Sequence, residues 1–280
     1  MTRLPLCCWS SAREIEKPRP VYFRRFIRSC AGSQLDTRGG NGSTIHCNRR
    51  RLAAEARWSP DSKQIYYFGH PAGQLAILRK TADGSGSEEL ILKQDHWLAP
   101  KSITPDGRYL LFESNEPESG SDLWLMPLAG EGKPAPFIKT SSNEGNAVLS
   151  PDGRWVAYVS DKSGRFEIYV RPFPAPGPEA QISSGTADWV SGGSTVPVDW
   201  RRDGKELFYV SADWKVMSVP VNAGAAFSAG APHPLFAVPP GSQVEATGDG
   251  QRFLVNAPIQ DDRPASLEVI LNWSRELPAQ

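Results

Sequence analysis

Short apolar runs recur along this chain, and a polar turn of constant length precedes each one. The five turns occupy residues 59–62, 104–107, 150–153, 201–204 and 247–250. The third position of every turn is an aspartate: Asp61, Asp106, Asp152, Asp203 and Asp249. Successive aspartates are 45, 46, 51 and 46 residues apart. Tight turns favour proline, aspartate and glycine, so the pattern predicts five hairpin turns whose geometry explains each aspartate structurally.

The run that follows each turn is apolar at three consecutive positions, beginning four residues after the aspartate. These runs are residues 65–67, 110–112, 156–158, 207–209 and 253–255. A strand with one face in water alternates apolar and polar residues, whereas an unbroken apolar run indicates a strand covered on both faces. We therefore predict five strands that each lie between two neighbouring layers.

The sequence also predicts the other strands of the repeats, of which the strand after each turn is the second. A third strand is predicted at residues 75–78, 123–126, 168–170, 216–219 and 269–271. Shorter apolar segments supply first and fourth strands at residues 137–138, 147–149, 181–182, 196–198 and 235–236. Four strands in about 45 residues is the period of a β-propeller, whereas a β-sandwich predicts no fixed long period. The predicted fold class is all-β, a propeller of about five or six four-stranded blades.

The sequence leaves two alternatives for the propeller ring, which is either closed by a further strand or open. The last repeat supplies three strands, the third of them at residues 267–273, and no fourth strand follows. A strand from the N-terminal segment could complete this blade, and Val21-Tyr22-Phe23, extending towards Phe26-Ile27, is the strand-like stretch there. Otherwise the ring is incompletely closed, and self-association through the open edge is expected.

The Pro-Asp-Gly turn followed by an apolar strand resembles the TolB-like, WD-related β-propeller repeat over about residues 58–280. Residues 120–124, 150–158, 200–207 and 271–273 are similar to the C-terminal propellers of large bacterial serine/threonine protein kinases. In those kinases a cytoplasmic kinase domain and a membrane helix precede the propeller, which is regarded as a sensor or interaction module. The resemblance implies a binding or sensing propeller outside the cytoplasm.

The resemblance does not extend to catalysis. The chain has no Gly-rich loop after a strand, no His-Arg-Asp loop and no Asp-Phe-Gly motif, so no phosphoryl transfer is expected. We expect a non-catalytic scaffold, a fragment or paralogue of a kinase-associated propeller. The alternative is the substrate-gating propeller of a serine peptidase or hydrolase that lacks its catalytic domain, since no Gly-x-Ser-x-Gly elbow occurs.

Charge divides the chain, although its formal net charge is zero. Residues 1–51 hold ten arginines and one lysine against three acids, together with all four cysteines. We predict that this basic segment is disordered or mistranslated and that residues 52–280 form the propeller. The acidic balance of the propeller argues against a nucleic-acid surface. No apolar run approaches the roughly 18 residues of a membrane span, and no export signal begins the sequence as written, which favours the cytoplasm.

Few residues of the sequence are candidates for catalysis, metal binding or contact with a partner. The histidines, His46, His70, His96 and His233, show no metal-ligand spacing, so we predict no catalytic residue, no cofactor and no metal site. Three tryptophans lie in or beside loops and are candidates for contact with a protein or small-molecule partner: Trp97, Trp189 and Trp214. Packing beneath a loop is the alternative role for each of them.

Overall fold

The computed structural model describes residues 10–16, 25–27, 54–130, 132–183 and 198–258. These residues are all-β apart from a single 3-10 turn at Pro71–Gly73, and none of them forms a helix able to cross a membrane. The strands are β1 Ser10–Glu16, β2 Arg25–Ile27, β3 Ala54–Trp58, β4 Gln64–Gly69, β5 Leu75–Thr81, β6 Glu89–Gln94, β7 Leu98–Ile103, β8 Tyr109–Glu116, β9 Gly120–Pro127, β10 Ala135–Ile138, β11 Glu144–Leu149, β12 Trp155–Ser160, β13 Glu167–Pro172, β14 Ala180–Gln181, β15 Val198–Trp200, β16 Glu206–Val210, β17 Lys215–Ala223, β18 Phe227–Ala229, β19 His233–Ala237, β20 Gln243–Ala246 and β21 Arg252–Pro258.

Antiparallel pairing joins these strands into five sheets within the described residues. The first three sheets contain β3 to β6, β7 to β10 and β11 to β14, each in chain order. The fourth sheet contains β15 to β18, and β19 also pairs with β17. The first strands of successive sheets, β3, β7, β11, β15 and β20, contact one another in order, as the inner strands of a propeller do.

The apolar runs after the turns form the centre of the sheets. They lie in β4, β8, β12, β16 and β21, and in the second, third and fourth sheets all three residues of the run are buried. Burial of a Val, Leu or Phe side chain is worth about 1.5–3 kcal/mol, so these strands are a main source of stability. The last sheet departs from the prediction: Leu254 in β21 is 42% exposed, so its run is covered on one face among the described residues.

The turns of neighbouring sheets pack against one another. Gly153 has a positive φ of 68°, and a Cβ on it would approach Pro105 of the preceding turn to 2.7 Å. Both the backbone conformation and the space therefore require glycine there. In the next turn along the chain, the backbone N–H of Arg202 donates to the carbonyl oxygen of Gly248, in the fifth turn, at 2.8 Å. Contacts between turns thus link successive sheets at the ends of their first strands.

The last sheet combines the two ends of the described chain. Its strand order is β2-β1-β21-β20, and β1 pairs with β21 from Ser10 opposite Pro258 to Glu16 opposite Arg252. An N-terminal strand was one of the two sequence alternatives, but residues 10–16 were not identified because they contain no apolar run. Strand pairing uses backbone N–H and C=O groups and needs no such run. The predicted extension at Phe26-Ile27 lies in β2, which pairs with β1 and not with β21. Residues 21–23 and 269–271 lie outside the described part of the chain.

Candidate binding site on the innermost strands

Polar and charged side chains gather on the first strands of the sheets. They are Glu55 and Arg57 on β3, Lys101 on β7, Asn146 on β11 and Asp199 on β15. We call these five residues the inner-strand cluster. Because the first strands contact one another in order, the cluster brings together side chains from four sheets.

Irregularities in the first strands help to direct these side chains. The pairing register shifts at residues 54–57, 100–102 and 145–148, at a similar place in each of the first three sheets. Glu55 and Asn146 have positive φ angles of 53° and 50°, a region that residues other than glycine seldom adopt. β-Bulges redirect side chains and are frequent next to functional sites, and so is this kind of backbone strain.

Lys101 is the centre of the inner-strand cluster, and only 3% of its side chain is exposed. Its Nζ lies 3.3 Å from Glu55 Oε2 and 3.3 Å from Glu113 Oε2, and it donates to Asn146 Oδ1 at 3.5 Å. Glu113, on β8, also accepts from the backbone N–H of Asn146 at 2.9 Å and from the Ser121 hydroxyl at 2.9 Å. A buried charge without a partner is strongly unfavourable, so these charges stabilise one another.

Among the described residues, nothing accepts a hydrogen bond from the side-chain amide of Asn146. Asn146 is 8% exposed, and its Nδ2 has no hydrogen-bond partner within the described residues. Buried polar groups are nearly always paired, so such a group requires an explanation. A carbonyl or carboxylate oxygen of a ligand would accept this hydrogen bond.

Asp199 adds an acid whose charge changes near neutral pH. Burial raises the pKa of Asp199 to about 6 against the opposing hydrogen bond from the Ala246 N–H, and nearby Glu245 raises it further. The charge of Arg57 acts in the opposite direction on this pKa. Arg57 itself donates from Nε to the Lys101 carbonyl oxygen at 2.7 Å. The cluster can therefore offer both donors and an acceptor to a polar ligand.

The predicted turn aspartates all have local partners. The first residue of each turn donates to the aspartate Oδ1 at 2.5–2.8 Å, from a hydroxyl in four turns and from Nε of Arg201 in the fourth turn. The backbone N–H two residues after each aspartate donates to the same oxygen at 3.0–3.1 Å. These bonds lower the pKa of four aspartates: Asp61, Asp106, Asp203 and Asp249. Burial opposes them at Asp152, whose pKa is nevertheless lowered.

Two of the three predicted tryptophans lie in the described residues. Trp97 is half-buried against apolar side chains of the first two sheets, and the Lys101 Nζ lies 5.5 Å from its ring centroid. It therefore borders the inner-strand cluster. Trp214 is half-buried in the turn between β16 and β17, with a φ of 59°, and packs against the core of the later sheets. Trp189 lies outside the described residues.

The residues of the inner-strand cluster were not identified from the sequence. One signal was available: Lys101 interrupts the largely apolar segment of β7, where a lysine is unexpected. His70, His96 and His233 lie in the described residues, and there no group of three or more histidines, cysteines or acids is arranged to hold a metal ion. His46 lies outside them.

A second polar group lies between the second and third sheets. Asp122 on β9 and Glu144 on β11 are fully buried, and each has one oxygen, Oδ1 and Oε2 respectively, without a hydrogen-bond partner among the described residues. The Thr140 hydroxyl donates to Glu144 Oε1 at 2.6 Å, and the Ser119 hydroxyl donates to Asp122 Oδ2. Burial raises the pKa of both carboxyl groups, and the charge of Asp122 raises that of Glu144 further.

Comparison with known proteins shows which folds this chain resembles. No family model matches the chain. The TolB of Acinetobacter baumannii superposes with a TM-score of 0.59 at 19% identity, over 90% of this chain and 64% of that protein. A protein described as TolB from Agrobacterium tumefaciens gives 0.60 at 16% identity, over 90% of this chain and 99% of its own. The oligogalacturonate lyase of Vibrio parahaemolyticus gives 0.52 at 11% identity, over 83% and 74%.

At these identities the likeness concerns the fold alone. It confirms the predicted all-β class and the resemblance to TolB-type β-propellers. The chain spans less than two thirds of the A. baumannii protein. A closer relation to kinase-associated propellers stays a prediction.

Proposed function

We propose that this chain is a non-catalytic β-propeller scaffold that binds a ligand through the inner-strand cluster. The Nδ2 of buried Asn146 carries this proposal, because it lies beside Lys101 and has no hydrogen-bond partner in the part of the chain that the structure describes. Rigid inner strands would hold these groups in place before a ligand arrives, which lowers the entropic cost of binding. Likeness to TolB propellers supports such a scaffold and does not favour a particular ligand.

An extended peptide matches the chemistry of the inner-strand cluster. A peptide carbonyl would accept from Asn146 Nδ2, and a peptide N–H or ammonium group would donate to the Asp199 carboxylate. Trp97, at the border of the cluster, would provide an aromatic surface for an apolar side chain. A peptide or protein segment is therefore the proposed class of ligand.

We further propose that the chain is a fragment or paralogue of a kinase-associated propeller and acts outside the cytoplasm. The absence of phosphate-cradling and metal-holding motifs from the sequence supports a role without phosphoryl transfer. We expect the full chain, incubated with ATP, Mg²⁺ and a general protein substrate, to transfer no phosphate. Phosphate transfer from ATP would contradict the non-catalytic assignment.

Selection from a displayed random-peptide library against the immobilised full chain tests the proposed ligand class. Asn146→Gly is the informative variant, because glycine accepts the positive φ while the amide is lost. Selected peptides should bind Asn146→Gly about 5- to 10-fold more weakly than the parent chain, the size expected for one buried hydrogen bond. Asn115→Ala, which changes an exposed asparagine, is the control and should bind equally well. Failure to enrich any peptide, or equal binding to both variants, would refute the proposal.

A further inference from the structure

A cavity of about 450 Å³ opens between the turns of the third and fourth sheets. Its walls come from three segments: residues 151, 152 and 154, residues 202–205 and residues 221–224. No residue of the inner-strand cluster lines it, so it is a separate site. Its volume lies within the range of sites that hold small molecules.

One wall of the cavity exists because β17 is long. This strand continues for nine residues, and its last part pairs with β18 after the earlier part has paired with β19. The carbonyl oxygen of Ala223, at the end of β17, accepts from Arg154 Nη2 at 3.1 Å and from Trp155 Nε1 at 3.1 Å. These bonds join the wall to the third sheet, so the cavity is held by two sheets.

More cationic than acidic residues line the cavity. The charged residues that line it are Asp152, Arg154, Arg202, Asp203 and Lys205. Asp152 is paired with Arg154 at 2.7 Å, and Asp203 is paired with Arg201 at 2.8 Å. Within the described residues neither Arg202 nor Lys205 forms an ion pair, and both are exposed, although the charge of Lys205 lowers the pKa of Asp203. With three cationic and two acidic residues, the lining has a net charge of +1.

Arg202 also distinguishes the fourth turn from the others. The second position of the first three turns is proline, and here it is arginine. A Cβ on Gly248 of the next turn would lie 3.0 Å from the Arg202 Nε, so the guanidinium lies directly against that glycine. Contact with the neighbouring backbone restricts the side chain, which reduces the entropy lost on binding.

We propose that this cavity binds a small multivalent oxyanion whose carboxylate or phosphate groups contact Arg202 and Lys205. Guanidinium and ammonium groups form their strongest hydrogen bonds with such oxygens, and the planar guanidinium can bind two of them at once. Asn222, which also lines the cavity, can donate from its side-chain amide to a further ligand oxygen.

Calorimetric titration of the full chain with citrate, and separately with pyrophosphate, tests this site at constant ionic strength. We expect saturable binding of one ion per chain, and the probe that binds more tightly distinguishes carboxylate from phosphate recognition. Arg202→Gln and Lys205→Gln should each weaken binding about 5- to 20-fold, because each removes a charge-assisted contact. Melting curves of both variants establish that they are folded.

Lys63→Gln is the matched control, because Lys63 lies two residues after the aspartate of the first turn, as Lys205 does in the fourth. It does not line the cavity, so its loss should leave the affinity unchanged. Asn146→Gly should also bind the oxyanion normally, which separates this site from the inner-strand cluster. Heat that does not saturate with either probe, or an equal loss in Lys63→Gln, would overturn the proposal.

Discussion

A lysine with 3% of its side chain exposed is rare, because lysine is seldom buried without partners. Lys101 has two acidic partners, Glu55 from the first sheet and Glu113 from its own sheet. Glu113 in turn accepts from the Asn146 backbone in the third sheet. Three sheets are thus joined through one buried carboxylate and one lysine, which makes the inner-strand cluster part of the stability of the fold as well as a candidate site.

The hydrogen bonds of the turn aspartates lead to a prediction about stability, also at the scale of single residues. Asp152→Ala removes an acceptor for the Ser150 hydroxyl and the Arg154 N–H, so the free energy of unfolding should fall by about 1–2 kcal/mol. Urea unfolding followed by fluorescence measures this. Asp152→Asn keeps an acceptor oxygen and should lose less.

Glu118→Ala serves as the control for Asp152→Ala, because Glu118 is an exposed acid outside the five aspartate turns, in the turn between β8 and β9. Its unfolding midpoint should match that of the parent chain. An unchanged midpoint for Asp152→Ala would show that the turn does not depend on its aspartate.

At the scale of elements, the local sequence pattern predicts the strands after the turns, but it does not predict the contacts between sheets. The apolar runs of β8, β12 and β16 were recognised because each is continuous in sequence. Asp122 and Glu144 belong to different sheets, and their shared burial depends on how β9 and β11 pack together.

This buried pair predicts a dependence of stability on pH. Burial raises both pKa values above their unfolded values of about 4, so the folded state binds more protons than the unfolded state. The resulting stabilisation is complete below pH 4 and is lost as the pH rises through the folded pKa values. Asp199, with a pKa of about 6, acts in the same direction. Nearby Lys139 opposes the shift at Asp122, whereas Glu116 and Asp161 add to the shifts.

The double variant Asp122→Asn/Glu144→Gln removes these two titrations. Its urea midpoint should decline less than that of the parent chain between pH 4.5 and about 8. Asp199→Asn provides a comparison that removes one titration elsewhere. Parallel pH profiles for the parent chain and the double variant would contradict the assigned direction of the shifts.

At the scale of the whole molecule, the last sheet is built from both ends of the described chain. β1 lies along the full length of β21 and covers an edge that would otherwise offer unpaired backbone groups. Whether residues 1–51 matter to folding therefore depends on this pairing more than on their composition.

Deletion of residues 1–51 tests the role of β1. We expect the shortened chain to melt at a lower temperature and to show a sedimentation coefficient that rises with concentration, because the freed edge of β21 can pair with another copy. The full chain is the control and should sediment independently of concentration. A shortened chain that is monomeric and melts like the full chain would show that the segment is dispensable.

Local chemistry was enough to predict the class of fold. The aspartate turn, the apolar run after it and the spacing of about 45 residues each depend on neighbours in sequence, so they can be read without coordinates. The strand at Ser10–Glu16 could not be read from the sequence, because its pairing with β21 and β2 uses backbone groups and leaves no apolar pattern.

Tertiary structure decided where the candidate sites lie. Lys101 and Asn146 are 45 residues apart, and their contact exists because successive first strands lie side by side. Arg202 stood out in the sequence as a missing proline, but the cavity beside it depends on the late part of β17 and on the turn of the preceding sheet. Charge burial, pKa shifts and cavities arise from residues brought together across sheets, and no local pattern encodes those distances.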